Sequence, residues 1–96
     1  MKVYFSKQKY KEMIEMTKVE VFVSSTCPHC PGAIQVVKEA EQEVPDLDVK
    51  ICNVEDLENR DKAIEYGIMA VPTIVIDNKV SFVGAPSLPE LLASLQ

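Results

Sequence analysis

The chain has no tryptophan, a single histidine, three glycines and three cysteines among its 96 residues. Three cysteines are too few, and an odd number, for the disulfide-rich scaffold of a small secreted domain. Basic residues are also scarce, because 10 Lys and Arg stand against 15 Asp and Glu, which gives a net charge of −5. Phosphate binding requires a basic surface, so this balance argues against a nucleic-acid-binding protein.

Long apolar runs are missing as well. The N-terminal segment contains no apolar run longer than Val3-Tyr4-Phe5, whereas a signal peptide has roughly 7–15 consecutive apolar residues. No stretch approaches the roughly 18 apolar residues of a membrane-spanning helix. We therefore expect a cytoplasmic protein that does not bind a membrane. In a reducing compartment, two cysteines close together in sequence are more often catalytic or metal-binding than structural.

The composition is typical of one globular domain. Hydrophobic residues make up 47 % and charged residues 26 % of the chain, and its length suits a single domain. Residues 1–17 are predicted to be an N-terminal extension and residues 18–96 the domain. Apolar residues follow helical spacing within residues 7–16, which predicts a short helix there. Lysines outnumber acidic residues at this end, which fits either a docking arm for an acidic partner or a solvated surface segment.

Hydrophobic periodicity predicts an α/β domain. A strand, a crossover helix and a second strand come first, followed by a helix, a hairpin of two strands and a last helix. The helical crossover makes the first two strands parallel, and the short Asp77-Asn78 turn makes the last two antiparallel. The expected fold is a four-stranded mixed sheet in the order β-α-β, helix, β-β-α, with helices on both faces. The predicted ranges are 19–23, 27–43, 49–54, 56–66, 73–76, 80–83 and 89–95.

The stretch from Cys27 to Cys30 joins the first strand to the first helix. Residues three apart lie on one side of a helical turn, so the two thiols are within reach of a disulfide. We place Cys27 at the N-cap and Pro28 at the first helical position, where proline is favoured. The free N–H groups of His29 and Cys30 and the helix dipole then favour the thiolate of Cys27, and Pro28 and His29 tune its acidity. Cys27 is the predicted nucleophile and Cys30 the predicted resolving thiol.

A zinc half-site is the alternative for two cysteines at this spacing. Zinc requires four ligands, and only His29 and Cys52 remain beside Cys27 and Cys30. His29 projects away from such a cluster. Cys52 lies inside a predicted strand, where a free cysteine usually packs as a small apolar residue. We therefore predict no metal site, and a core position for Cys52.

Further segments carry a family resemblance. Pro72 stands at the start of the third strand, where a residue that cannot donate to the sheet is tolerated, and Gly84 follows the fourth strand. With the cysteine motif, and in this order along the chain, these segments resemble the thioredoxin superfamily, most closely the small archaeal thioredoxin/glutaredoxin-like proteins. The resemblance covers about residues 18–96. It is carried by Cys27-Pro28-His29-Cys30, Tyr66-Gly67-Ile68, Val71-Pro72-Thr73 and Phe82-Val83-Gly84-Ala85.

The resemblance implies a thioredoxin fold and a set of site residues. Cys27 and Cys30 would form a redox-active disulfide, and Pro72 would be a cis-proline that faces them. The backbone of Val71 would pair with an extended substrate segment, as an added strand does. Thr73 and Gly84 would complete the substrate-binding surface, with Gly84 allowing the substrate backbone to approach closely.

Four residues depart from the family patterns. Pro28 and His29 separate the cysteines, whereas thioredoxins usually have Gly and Pro there. Val21 occupies the position at which thioredoxins bury an acidic residue behind the cysteines. A single glycine, Gly84, stands where glutaredoxins usually have two for binding glutathione.

These expectations together predict a dithiol–disulfide oxidoreductase that reduces protein disulfides through Cys27 and Cys30. No cofactor is expected in the domain. The expected partners are disulfide-containing proteins and an electron donor, either a protein similar to thioredoxin reductase or a small thiol, and we expect a monomer. The alternatives are net oxidation or isomerisation of protein disulfides, and a metal or iron–sulfur carrier that uses Cys27 and Cys30.

Overall fold

The computed structural model describes residues 17–95, and the predicted extension with its helix at 7–16 lies outside them except for Thr17. The elements follow the predicted order β-α-β, helix, β-β-α, which confirms the fold class. Within residues 17–95, no helix has the length and apolar character needed to cross a membrane. The elements are β1 (Thr17–Val23), α1 (Cys30–Glu43), β2 (Leu47–Asn53), α2 (Leu57–Glu65), β3 (Thr73–Ile76), β4 (Lys79–Val83) and α3 (Leu88–Ser94).

The sheet has the strand order β2-β1-β3-β4. β1 is parallel to β2 and antiparallel to β3, and β3 is antiparallel to β4. Both residues of the β3–β4 turn are left-handed, with φ of 49° at Asp77 and 69° at Asn78. Two left-handed residues make the type I′ turn that suits the twist of a hairpin. The predicted mixed sheet and its antiparallel hairpin are therefore confirmed.

Successive side chains of β1 point to opposite faces of the sheet, and a separate hydrophobic core lies on each face. Val19, Val21 and Val23 point to the face covered by α1 and α3, where they pack with buried residues such as Val37 and Leu91. Phe22 points to the opposite face, which α2 covers. There it packs with three buried residues, Cys52, Ala63 and Val75. The helices therefore lie on both faces, as predicted, and the core position of Cys52 is confirmed by its complete burial.

The first helix begins later than predicted. We expected Cys27 at the N-cap, but His29 is the N-cap and Cys30 the first helical residue. An N-cap carbonyl accepts the first helical hydrogen bond from the residue four positions on. Counted from Cys27 that residue is Pro31, which has no N–H to donate. Counted from His29 it is Ala33, whose N–H donates to the His29 carbonyl at 3.3 Å.

A carboxylate is buried under α2. Glu20 lies on β1 between two apolar residues and is completely buried. Lys62 Nζ lies 2.6 Å from Glu20 Oε2, and the Tyr66 hydroxyl donates to Glu20 Oε1 at 2.9 Å. Burial alone raises the pKa of Glu20, but the hydrogen bonds from Lys62 and Tyr66, with the charges of Lys18 and Lys62, outweigh it and hold the pKa below its ordinary value of 4.5. Glu20 is therefore ionised at neutral pH and ties α2 to the sheet.

We predict that Glu20→Gln lowers the free energy of unfolding at pH 7 by about 2 kcal/mol, because it removes the charged partner of Lys62. The ionised carboxylate stabilises the folded state above pH 4.5, and this contribution is lost as the pH falls through the lower pKa of the folded protein. The difference between the variant and the native protein should therefore shrink in acid. Urea unfolding between pH 3 and pH 7 measures it, with exposed Glu41→Gln as the control. A difference that does not depend on pH would contradict the prediction.

Candidate functional site

Three loops meet at the end of the sheet where β1 finishes. The first, residues 24–29, follows β1 directly. The second, residues 66–72, leads into β3, which begins at this end because it is antiparallel to β1. The third, residues 84–87, follows β4, and the Gly84 N–H donates to the Pro72 carbonyl at 2.7 Å. The topology thus brings together the predicted site residues of these loops, and Cys30 and Thr73 directly follow the first and the second loop.

Cys27 lies in the first loop and is half-buried. Its N–H donates to the Ser24 carbonyl at 3.4 Å, and its Sγ donates to the Val71 carbonyl at 3.5 Å. The Cys30 N–H donates to the carbonyl of Cys27 at 3.4 Å. This N–H is therefore not free to face the Cys27 sulfur, which corrects the arrangement expected from an N-cap at Cys27.

Cys30 occupies a different environment. It is the first residue of α1 and only 2 % exposed, packed in the core under α1 and α3. Burial raises the pKa of the Cys30 thiol, and the neighbouring Cys27 thiol adds to this effect, while the Ser24 backbone opposes it. The two thiols therefore differ, since Cys27 is partly accessible and Cys30 is enclosed and favours its neutral form.

Pro28 and His29, the residues predicted to tune Cys27, are both exposed. His29 is the N-cap of α1 and has a helical backbone conformation, with no hydrogen bond from its side chain to the helix. Its contribution to α1 is the carbonyl that accepts from Ala33. Their side chains are exposed to solvent, and their tuning role stays a prediction.

The second loop presents Val71 to Cys27. The Val71–Pro72 peptide bond is cis, and Val71 is half-buried with its carbonyl on the Cys27 sulfur. Thr73 is only 2 % exposed, and its hydroxyl donates to the Ala70 carbonyl at 2.6 Å. Thr73 therefore closes the turn around Pro72, and its side chain does not face the surface.

Gly84 has a φ of +97°, a left-handed conformation that L side chains rarely adopt. Apart from its two chain neighbours, no residue has a heavy atom within 4 Å of the point where a Cβ would stand. The residue thus satisfies a turn requirement and leaves open space beside Pro72. The geometry of Gly84 is compatible both with a turn that requires glycine and with room for a substrate backbone.

Comparison with known proteins agrees with this geometry. The thioredoxin domain family model matches residues 17–96. This chain belongs to the thioredoxin domain family. The family consists of thiol–disulfide oxidoreductases, and the Cys27–Cys30 spacing is that of its active-site motif.

Archaeal proteins are among its relatives. The chain is 51 % identical over 80 residues to a thioredoxin of Methanocaldococcus jannaschii, which covers 82 % of this chain and 92 % of that one. It is also 51 % identical over 81 residues to a probable thioredoxin of Methanothermobacter thermautotrophicus, which covers 83 % of this chain and 93 % of the relative.

Solved thioredoxin structures share the fold. A single-site mutant of a thioredoxin from Halobacterium salinarum superposes with a TM-score of 0.71 at 25 % identity, over 83 % of this chain and 72 % of that one. Mitochondrial thioredoxin 3 of Saccharomyces cerevisiae in its oxidised form superposes with a TM-score of 0.69 at 23 % identity, over 92 % and 86 % of the two chains.

A contact missed by the sequence reasoning ties the first loop of this thioredoxin domain to the end of β2. The Ser25 hydroxyl donates to Glu55 Oε2 at 2.5 Å, and the Glu55 N–H donates to Asn53 Oδ1 at 2.8 Å. The hydrogen bond from the Ser25 hydroxyl, with smaller contributions from the Ser25 backbone and Asn53, lowers the pKa of Glu55. Ser25 precedes Cys27 by two residues, so this contact restrains the cysteine loop.

A groove of about 340 Å³ lies on the α2 side of the sheet, and Ser24 and Val71, the two hydrogen-bond partners of Cys27, are among the residues that line it. Its walls are mostly apolar, with Glu55 and Arg60 as the charged residues among those that line it. The apolar lining residues are Val54, Ala63, Ile64, Ile68, Met69, Ala70 and Val71.

The metal alternative has no ligand cluster in the part of the chain that the structure describes. Among residues 17–95, no group of three or more His, Cys, Asp or Glu side chains is placed to hold a metal ion. All three cysteines are free thiols. Cys52 lies in the core under α2, whereas Cys30 lies in the core under α1 and α3, so the sheet separates them.

We predict that limited alkylation modifies the three cysteines in the order of their accessibility. Cys27 is half-buried, whereas Cys30 and Cys52 are 2 % and 0 % exposed. Burial also raises the pKa of both enclosed thiols, which lowers their thiolate fraction and hence their reactivity. Iodoacetamide at pH 7 should therefore label Cys27 first, as measured by mass spectrometry of peptides. Labelling of Cys52 at a similar rate would contradict the structure.

Proposed function

We propose that this protein reduces disulfide bonds in polypeptide substrates, with Cys27 as the nucleophile and Cys30 as the resolving thiol. The observation that carries the proposal is the difference between the two thiols. Cys27 is partly accessible at the meeting point of three loops, whereas Cys30 is enclosed and its pKa is raised. The accessible sulfur is suited to attack a substrate, and the enclosed one to act on its neighbour.

The reaction transfers two electrons in two exchanges. The thiolate of Cys27 attacks one sulfur of the substrate disulfide, forms a mixed disulfide and releases the other substrate sulfur as a thiolate, which takes up a proton. Cys30 loses its proton and attacks the Cys27 sulfur, which releases the second substrate thiol. The substrate is then reduced and Cys27–Cys30 is oxidised to a disulfide. An external electron donor, either a reductase or two molecules of a small thiol, supplies the two electrons and two protons that restore the pair.

The backbone of Val71 is suited to hold the substrate during these exchanges. Its carbonyl accepts the Cys27 thiol hydrogen in the free protein, and a thiolate has no hydrogen to donate. Ionisation of Cys27 therefore releases the carbonyl for an N–H of an extended substrate segment. The open space beside Gly84 gives the substrate backbone room on the other side of Pro72.

The surface around Cys27 favours protein substrates of varied sequence. Residues 24–37, 66–76 and 80–89 contain no Asp, Glu, Lys or Arg, although they include all three loops of the site. Apolar side chains are exposed here, among them Met69 at 97 % and Val83 at 71 %. An uncharged, partly apolar surface makes few demands on the charge of its partner, and such patches commonly mark binding sites.

The direction of the reaction is tested by the equilibrium potential of the cysteine pair. A reductase requires a potential near that of thioredoxin, about −270 mV, whereas strong oxidants lie near −120 mV. Equilibration with glutathione, read by the alkylation state of Cys27 and Cys30, measures this value. A potential far above about −200 mV would refute reduction as the direction and favour net oxidation.

We predict that three single substitutions separate the roles of the cysteines. Cys27→Ser should abolish reduction of insulin, because it removes the attacking sulfur. Cys30→Ser should lose turnover and accumulate mixed disulfides with substrates, because nothing resolves them. Cys52→Ala should keep nearly normal turnover, since this thiol is buried in the core under α2.

The readouts are turbidity for insulin reduction and non-reducing gels for trapped mixed disulfides. Full activity of Cys27→Ser would refute the assigned nucleophile. Metal analysis of protein purified anaerobically with reduced thiols addresses the carrier alternative. Stoichiometric metal together with inactivity towards insulin would favour that alternative over the proposed reductase.

A further inference from the structure

The segment that carries Val71 starts from a fixed point at the end of α2. Tyr66 is the C-cap of this helix. The Gly67 N–H donates to the Ile64 carbonyl at 3.0 Å and the Ile68 N–H to the Ala63 carbonyl at 2.9 Å. With Gly67 at a φ of +74°, these two bonds form a Schellman motif. Only Met69 and Ala70 then separate this helix end from Val71.

The Tyr66 side chain fixes this helix end to the sheet. Its hydroxyl donates to the buried Glu20 at 2.9 Å and lies 3.0 Å from Asn78 Oδ1 in the β3–β4 turn. Its ring packs edge-on against Phe22, with centroids 5.9 Å apart. A hydroxyl bonded to a carboxylate makes a stronger hydrogen bond than one to a neutral acceptor. Tyr66 is thus held on β1 and beside the turn that joins β3 to β4.

Val71 at the other end of this segment shares the same surroundings. Tyr66, Ile68 and Val71 all pack against the core formed by Phe22, Cys52, Ala63 and Val75. The carbonyl of Val71 meets the Cys27 sulfur. A shift of Tyr66 on the sheet therefore moves Val71 relative to Cys27, because the chain between them is short and is tied to the end of α2 by hydrogen bonds.

We propose that Tyr66, held by its hydrogen bond to Glu20, is a positioning residue that sets Val71 in register with Cys27 for binding a polypeptide substrate. This inference rests on the proposed function, since it concerns how a substrate segment pairs with Val71. Among residues 17–95, the hydroxyl of Tyr66 bonds Glu20 and Asn78 and not Cys27, and Tyr66 is not among the residues that line the groove. Its effect passes through the backbone of residues 67–71.

The test is Tyr66→Phe, which keeps the ring and removes only the hydroxyl. We expect the KM for a disulfide-bonded peptide to rise about tenfold while kcat changes little, because binding depends on the register of Val71. Reduction of a small disulfide such as hydroxyethyl disulfide should keep its rate, since that molecule has no backbone to pair with Val71. The amide resonances of Ala70 and Val71 in ¹H–¹⁵N spectra should shift.

Lys62→Met is the matched control. It removes the other partner that α2 supplies to Glu20, but leaves a carboxyl oxygen to accept the Tyr66 hydrogen. It should lower the thermal stability at least as much as Tyr66→Phe and leave the peptide KM and the Val71 resonance near those of the native protein. An equal rise of KM in both variants would overturn the inference, because it would reflect general destabilisation.

The outcome also separates the two proposals. Suppose that the native protein reduces both the disulfide-bonded peptide and hydroxyethyl disulfide. If Tyr66→Phe then reduces both with unchanged kinetics and unshifted Ala70 and Val71 resonances, the positioning role is refuted and the proposed function stands. If the native protein reduces neither disulfide, the proposed function fails. The spectra then decide independently whether Tyr66 positions Val71.

Discussion

The buried carboxylate of Glu20 is the contact on which the arrangement of this domain depends most. An ionised group without exposure is tolerated only with partners that replace water. Here the two hydrogen-bonding partners come from one helical segment, and Lys18 Nζ on β1 lies 4.0 Å from Glu20 Oε2. Lys62 and Tyr66 stand one turn apart and reach the same carboxylate. Lys62 thus offsets the buried charge, and the Tyr66 hydroxyl fixes the end of α2 over the sheet, in addition to the apolar contacts of Phe22 and Ala63, which alone tolerate sliding.

The site combines elements whose stability has different origins. The cysteine loop is held by backbone hydrogen bonds and by the exposed contact between Ser25 and Glu55. The loop before β3 is fixed at its start by the hydrogen bond from Tyr66 to Glu20, and at its end by the hydrogen bond from Thr73 to the Ala70 carbonyl. The last loop is tied to Pro72 through Gly84, and the capping box of Ser87 and Glu90 starts α3 directly after it. A reactive sulfur thus sits among loops that are each restrained by a neighbour.

Much of this fold was predictable from local sequence patterns. The strand at 73–76 matches its predicted range, and the Asp77-Asn78 turn formed the expected hairpin because both residues tolerate left-handed backbone. The start of α1 was predicted wrongly, although the decisive information is local. Pro31 cannot make the hydrogen bond that an N-cap at Cys27 requires, and counting that single donor would have moved the helix start to His29.

The polar contacts of Glu20 and of Glu55 could not be predicted from the sequence, for a different reason. A glutamate in the alternating run of β1 looks like a solvent-facing residue, and its partner Tyr66 lies 46 positions away. Ser25 and Glu55 are 30 positions apart. Such pairs arise only when the topology superposes distant segments. The spacing of Lys62 and Tyr66, one turn apart on one helix face, is a weak indication that they share a partner. It does not identify Glu20 as the carboxylate that they contact.

The uncharged loops also have a consequence for how partners arrive. The acidic residues of this chain lie outside the three segments around Cys27, and Glu55 reaches the first of these segments through its hydrogen bond with Ser25, so the loops themselves add no charge at the reactive sulfur. The rate at which a partner binds at the cysteines then depends more on how often the two surfaces meet in the correct orientation than on long-range electrostatic attraction. Ionic strength acts mainly on the approach to the acidic sides of the domain.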